Sequence, residues 1–286
     1  MSDWKQPLRL VELLDKDGAI EDRGVDKLVS AVQEAKDLSM NLKCEEFLAF
    51  ATSAIRSATN SDDVLRRVEK KTGVALQILT GEEEARLTFL AARRWHGWSA
   101  GRITNIDIGG GSLEMSTGTE ETPDLAVSLD LGAGRLTHQW FDTDPPERKK
   151  INLLRDFIDA ELAAPAEQFR ALGGSGLAVG TSKTLRTLAR LTGAAPSSAG
   201  PFVKRTLTAP GLRQLIAFIS RMTAADRAEL EGINADRSHQ IVAGALVAEA
   251  AMRALNIDKL EICPWALREG VILRWIDQGP NYEGES

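Results

Sequence analysis

The chain has 286 residues, of which 43% are hydrophobic and 27% charged, with a formal net charge of −6. Single cores stop growing at about 250–300 residues, so two domains suit this length better than one. The acidic balance argues against a duplex nucleic-acid partner and leaves anion binding only where backbone N–H groups and a few Lys or Arg converge locally.

In chain order, Val25, Leu28, Val29, Val32, Ala35 and Leu42 recur at helical spacing, which predicts an amphipathic helix over Gly24–Leu42. The apolar run Glu46–Thr52 predicts a buried strand, Asp62–Lys71 a helix stopped by Gly73, Val74–Leu79 a strand and Glu82–Trp95 a helix. This alternation is the rhythm of an α/β domain. Ile103–Ile108 predicts a strand, followed by Gly109-Gly110-Gly111-Ser112 and by a second strand in which Leu113, Met115 and Thr117 alternate with Glu114 and Ser116. Val127–Leu131 predicts a third strand, and Lys149–Leu162 a helix after the Asp144-Pro-Pro146 break. Beyond these come a strand at Gly176–Gly180, a helix at Lys183–Leu191 and a loop at Gly193–Pro201. Helices at Leu212–Met222, Ser238–Leu255 and Ala266–Ile276, with a strand at Leu260–Cys263, complete the reading.

Leu48-Ala-Phe-Ala-Thr-Ser53 and Leu177-Ala-Val-Gly-Thr-Ser182 share a pattern: an apolar strand, then Thr-Ser, then a segment carrying an Arg (Arg56, Arg186). The repeat suggests a duplicated α/β domain with facing ligand loops. The division is placed at residues 1–100 and 101–286, the last helix being free to return to the first lobe. By that symmetry lobe one lacks the hairpin with which lobe two opens.

The Asp107-Ile-Gly-Gly-Gly-Ser-Leu-Glu114 stretch carries the most chemistry. It is no Walker A loop, because no Lys follows the glycines, and no dinucleotide fingerprint, because a strand and not a helix comes next. A strand–Gly-Gly-Gly-Ser–strand turn lets successive N–H groups face one concavity, a phosphate cradle. Two carboxylates, Asp107 and Glu114, flanking an anion site imply a cation between them, and Mg²⁺ is expected. The plain alternative is a tight hairpin. Thr80-Gly-Glu-Glu-Glu-Ala-Arg86 enters a helix, where acidic residues ordinarily complement the dipole; functionally, one of these glutamates would be a general base for water. Thr52, Ser53 and Arg56, and Gly180, Thr181, Ser182 and Lys183, place hydroxyls, a helix start and a cation beside a strand end, which suits a phosphate as well as a plain N-cap. Arg237, at the start of the long helix, is a further phosphate candidate.

Phe50-Ala-Thr-Ser-Ala-Ile-Arg56, Gly81-Glu-Glu-Glu-Ala-Arg-Leu87, Asp107–Glu114, Gly180-Thr-Ser-Lys-Thr-Leu-Arg186 and Leu267-Arg-Glu-Gly270 together resemble the Ppx/GppA phosphatases, the short two-lobed exopolyphosphatases most of all. The resemblance implies an actin-like fold with the active site between lobes. It also implies Mg²⁺-dependent release of terminal phosphate from polyphosphate, or of the 5′ γ-phosphate from guanosine pentaphosphate. By motif, the general base falls on Glu84, the metal and water ligands on Asp107 and Glu114, and the second phosphate loop on Gly109–Ser112. The first phosphate loop of the family, Asp-x-Gly-[Ser/Thr]-Asn-[Ser/Thr], has no match here. That leaves open a non-catalytic sensor of polyphosphate or guanosine tetra- and pentaphosphate, and a small-molecule kinase of the same superfamily stands as a third option. Family members often dimerise, though no interface stands out in the sequence.

Cys44 and Cys263 are the only cysteines, without CxxC spacing, and the histidines lack HxxxH spacing, so neither a disulfide scaffold nor a zinc site is expected. No apolar run approaches the roughly 20 residues of a membrane helix, and the start lacks a signal-peptide pattern. A cytoplasmic protein without membrane partners is expected.

Overall fold

A computed structural model describes residues 4–173 and 176–279. By backbone contacts the chain falls into two compact units that part between Thr80 and Gly81. The sequence division was drawn after residue 100 instead. The intervening helix, Gly81–His96, packs on strands and on the last helix of the second unit.

In the first unit, α1 (Asp22–Asn41) buries Val25, Leu28 and Val32, one stripe at helical spacing. A parallel pair follows from β1 (Phe50–Ala51), with α2 (Ser53–Arg56) and α3 (Ser61–Thr72) before β2 (Gln77–Ile78). Helix α3 carries Asp62 and Asp63 in its first turn and Lys70 and Lys71 in its last, each complementing the local end of the dipole. Gly73 ends it at φ 68°, a left-handed turn that favours glycine. The strands here are shorter than the apolar runs suggested, because the flanking residues pair with nothing regular.

The second unit opens with α4 (Gly81–His96), whose buried face includes Glu84, Leu87, Thr88 and Phe89. Then come β3 (Ile103–Ile108), β4 (Leu113–Gly118) and β5 (Leu125–Leu129), an antiparallel meander. The next elements are α5 (Ala133–Trp140), α6 (Arg148–Ala171), β6 (Leu177–Gly180) and α7 (Lys183–Leu191). They are followed by β7 (Thr206–Thr208), α8 (Ala209–Ile219), α9 (Ala224–Ala228), α10 (Ile241–Ala254), β8 (Lys259–Ile262) and α11 (Leu267–Gln278). The six-stranded sheet runs β5-β4-β3-β6-β8-β7, with β6 parallel to β3 and to β8. Helix α10 is buried almost all round, from Ile241 to Met252, as its largely apolar composition, interrupted there only by Glu249, requires of a central helix.

Helix α6 runs through Pro165, nine residues past the end expected at Leu162. Helices α5 and α9 and strand β7 were not anticipated from the sequence. Among the described residues no helix is long and apolar enough to cross a membrane.

Candidate active site

Strands β3 and β4 are in register so that Asp107 faces Glu114 and Asn105 faces Ser116. Side chains alternate along a strand, so all four project to one face of the sheet, the carboxylates nearest the turn. The turn Gly109–Ser112 is closed by Gly109 N–H donating to Ser112 O at 2.9 Å. None of its glycines lies in the left-handed region. Gly110 provides openness instead, since a Cβ there would meet nothing within 4 Å.

The carbonyls of this turn are tied back from outside. Ala133 N–H donates to Gly109 O (3.0 Å), Arg135 N–H to Gly110 O (2.9 Å) and Arg135 Nε to Gly111 O (2.8 Å). Helix α5 therefore consumes the acceptors of the turn. Among the described residues no acceptor takes the amides of Gly110, Gly111 and Ser112, which leaves three N–H donors for an anion. The brace depends on Gly132, where a Cβ would sit 2.2 Å from Gly111 C.

Glu84, one turn into α4, is buried, as is Glu114. Burial, then Asp107, then Glu84 push the Glu114 carboxyl up to about 8, against hydrogen bonds from Ser112 and Ser128. Burial likewise raises Asp107, opposed by the Thr181 hydroxyl, which donates to Asp107 Oδ2 at 2.6 Å, and by the charge of Arg186. The three carboxylates thus lie in one neighbourhood, and the charges of Asp107 and Glu84 add to burial in raising Glu114. Among the described residues no three His, Cys, Asp or Glu side chains form a metal-binding group. Mg²⁺ nevertheless takes one or two carboxylates and completes its shell with water and substrate phosphate, so Asp107 and Glu114 fit that donor set.

The end of β6 lies beside β3, with Ile106 opposite Gly180. This brings Gly180-Thr181-Ser182 to the same strand ends as Asp107, where ligands of such sheets bind. Ser182 Oγ accepts from Leu185 N–H and caps α7, leaving the hydroxyl hydrogen available. Lys183 and Arg237 line one shallow cleft with Asn234 and Gln240. Arg237 sits in a 3₁₀ turn, Ala235–Gln240, just before α10 rather than in the helix as expected. Thr52, Ser53 and Arg56 belong to the first unit, where Arg56 Nη1 donates to Leu79 O at 2.6 Å and Thr52 makes no side-chain cap bond.

Gly132, Arg135 and α5 were missed because their effect is tertiary. The spacing Gly132-Ala-Gly134-Arg135 is the one signal the sequence held. Gly270, noted only as part of a motif, has a packing reason: a Cβ there would lie 2.0 Å from Leu87 O, so α11 presses against α4 one turn beyond Glu84.

The family model described as "Ppx/GppA phosphatase family" matches residues 1–279. Exopolyphosphatase 1 of Mycobacterium tuberculosis is 65% identical over 277 residues, covering 97% of this chain and 80% of its own length. Exopolyphosphatase 1 of Mycobacterium leprae is 62% identical over 277 residues, covering 97% and 82%. Among solved structures, the Aquifex aeolicus Ppx/GppA family member superposes with a TM-score of 0.75 at 25% identity over 94% of this chain and 86% of that one. An exopolyphosphatase from Cytophaga hutchinsonii gives 0.82 at 20% identity over 91% and 84%, which speaks to fold alone. The actin-like α/β fold expected from the sequence is the fold of these structures.

Proposed function

This chain belongs to the Ppx/GppA phosphatase family, and on that premise we propose that it is an exopolyphosphatase, hydrolysing the terminal anhydride of inorganic polyphosphate. One observation carries the reading: Asp107 and Glu114 face each other beside a turn whose carbonyls are tied away and whose amides are open, with Glu84 close enough to act on Glu114.

In this reading the amides of Gly110, Gly111 and Ser112 grip the terminal phosphoryl group. Glu84 takes a proton from water as the water oxygen bonds to phosphorus. The P–O bond to the penultimate phosphate then breaks, giving orthophosphate and a chain one unit shorter. Bound Mg²⁺, held by Asp107 and Glu114, would neutralise phosphoryl charge. Thr181 orients Asp107, while Lys183 and Arg237 offer charge to phosphates farther along the chain. Thr52, Ser53 and Arg56 stand as phosphate contacts by motif alone. The free thiols Cys44 and Cys263 suit a reducing cytoplasmic setting.

The test is phosphate release from polyphosphate with and without Mg²⁺. Glu84→Gln should lower turnover by roughly 100-fold or more, the usual worth of a general base, while tripolyphosphate binding by calorimetry persists. Unchanged turnover removes Glu84 from the reaction, and binding without turnover in the unsubstituted chain makes the protein a sensor. Guanosine pentaphosphate presents the same terminal anhydride, and a parallel assay ranks the two substrates.

A further inference from the structure

The sequence pattern singled out Arg186 on α7, and the reaction above gives it no role. Its guanidinium lines a cavity of about 190 Å³ together with Ser197, Gly200, Arg205, Ile262 and Pro264. A water needs about 15 Å³ by the same measure, so this space admits a group of several heavy atoms.

Both charged residues of the lining are cations. Arg186 donates one long hydrogen bond, Nη2 to Pro264 O at 3.4 Å. Arg205, only 8% exposed, is held by the loop it closes. Its Nε donates to Ala195 O (2.9 Å), Nη1 to Val203 O (2.8 Å), and Nη2 to Pro196 O (2.6 Å) and Gly200 O (3.0 Å). Among the described residues neither guanidinium has a carboxylate partner. The nearby acid, Glu261, is engaged by Lys204 at 2.6 Å. Arg186 is half-buried with a single long hydrogen bond, and the planar fork of Arg matches oxyanions.

We propose that the cavity between Arg186 and the 195–205 loop is a second phosphate-binding site, separate from the glycine turn, with Arg186 as its principal ligand. The anion site stands on the cavity and on Arg186, with Arg205 contributing charge from the wall; the choice of phosphate rests on the exopolyphosphatase reading. The occupant is either released orthophosphate or an internal phosphate of the chain, which share the same chemistry.

Crystals of the full chain soaked in tungstate, a phosphate mimic, should show anomalous density in this cavity as well as at the glycine turn. The cavity peak should vanish in Arg186→Gln and in Ser197→Trp, the latter a substitution at an exposed position that fills the space while leaving both cations in place. Calorimetric titrations then separate the sources. About tenfold weaker orthophosphate binding in both variants, the worth of one charge-assisted hydrogen bond, identifies a product site, whereas the same loss for tripolyphosphate alone identifies a chain site. Tungstate confined to the glycine turn, or unchanged affinity for both probes in both variants, overturns the proposal. A cavity peak in a protein that releases no phosphate from polyphosphate would sustain the anion site and sink the enzymatic reading instead.

Discussion

Two turns leave neighbouring strand ends of one sheet, yet they are held in opposite ways. The turn after β6 supports itself: Ser182 caps the helix it begins, and Thr181 reaches across to Asp107. The turn after β3 is supported from outside, its three glycine carbonyls taken by Ala133 and Arg135 of α5. A self-capped turn keeps its shape as long as its own helix persists. A turn braced by a remote helix keeps its shape only while that helix stays packed, so its geometry is the more vulnerable of the two.

The largest expected effect follows directly. In Gly132→Ala the new Cβ would lie 2.2 Å from Gly111 C and 2.3 Å from Ser112 N, backbone atoms that cannot swing aside. Overpacking of this kind costs roughly 1–3 kcal/mol, and a displacement of about 1 Å at reacting groups costs on the order of 100-fold in rate. Phosphate release should therefore collapse while circular dichroism keeps its native form. Gly134→Ala is the milder comparison, because its Cβ meets Gln240 Oε1 at 2.8 Å, the end of a flexible side chain, and Gly110 O only at 3.1 Å, a contact that a shift of a few tenths of an ångström relieves. Equal losses in the two variants would break the claim that the brace sets the turn.

This contrast also explains what was legible in the sequence. The strands β3 and β4, the helix α7 and the carboxylates Asp107, Glu114 and Glu84 carry local signals: alternation, an N-cap, a Gly-rich break. Register alone then places Asp107 opposite Glu114. Helix α5 has eight residues and only Ala133 and Leu136 buried, too short a stripe to register as periodicity. Its role depends on where it packs, which no window of sequence contains. Strand β7 is three residues long and exists because Thr206–Thr208 pair with β8. The start of α10 falls three residues later than the sequence suggests, because Ser238–Gln240 belong to the 3₁₀ turn Ala235–Gln240, whose polar residues carry no periodicity to separate it from the first turn of a helix.

A middle-sized effect is expected at Thr181. Thr181→Val keeps the β-branched shape and removes the donor that holds Asp107 Oδ2 at 2.6 Å. A hydrogen bond to a charged group is worth about 1.5–3 kcal/mol, so turnover at saturating Mg²⁺ should fall about tenfold or somewhat more. Thr181→Ser, which restores the hydroxyl, should recover most of it. If the serine variant is as impaired as the valine one, the methyl group and not the hydroxyl matters, and the link between the two turns is lost.

The smallest effect belongs to Ser182, and it separates a cap from a ligand. Ser182 Oγ accepts from Leu185 N–H at 3.1 Å. Replacing an N-cap serine by alanine costs about 1 kcal/mol, whereas glycine costs only a few tenths. A pure cap therefore predicts a stability order of Ser, Gly, Ala in chemical denaturation, with turnover changed by less than about twofold across the series, because a helix end that stays formed keeps its amides in place. A phosphate ligand predicts the other pattern, in which Gly and Ala lose turnover alike since both lack the hydroxyl. Observation of that second pattern would mean that the self-supporting turn binds substrate through its side chain as well, and the two turns would then differ in their bracing alone and no longer in what they offer the anion.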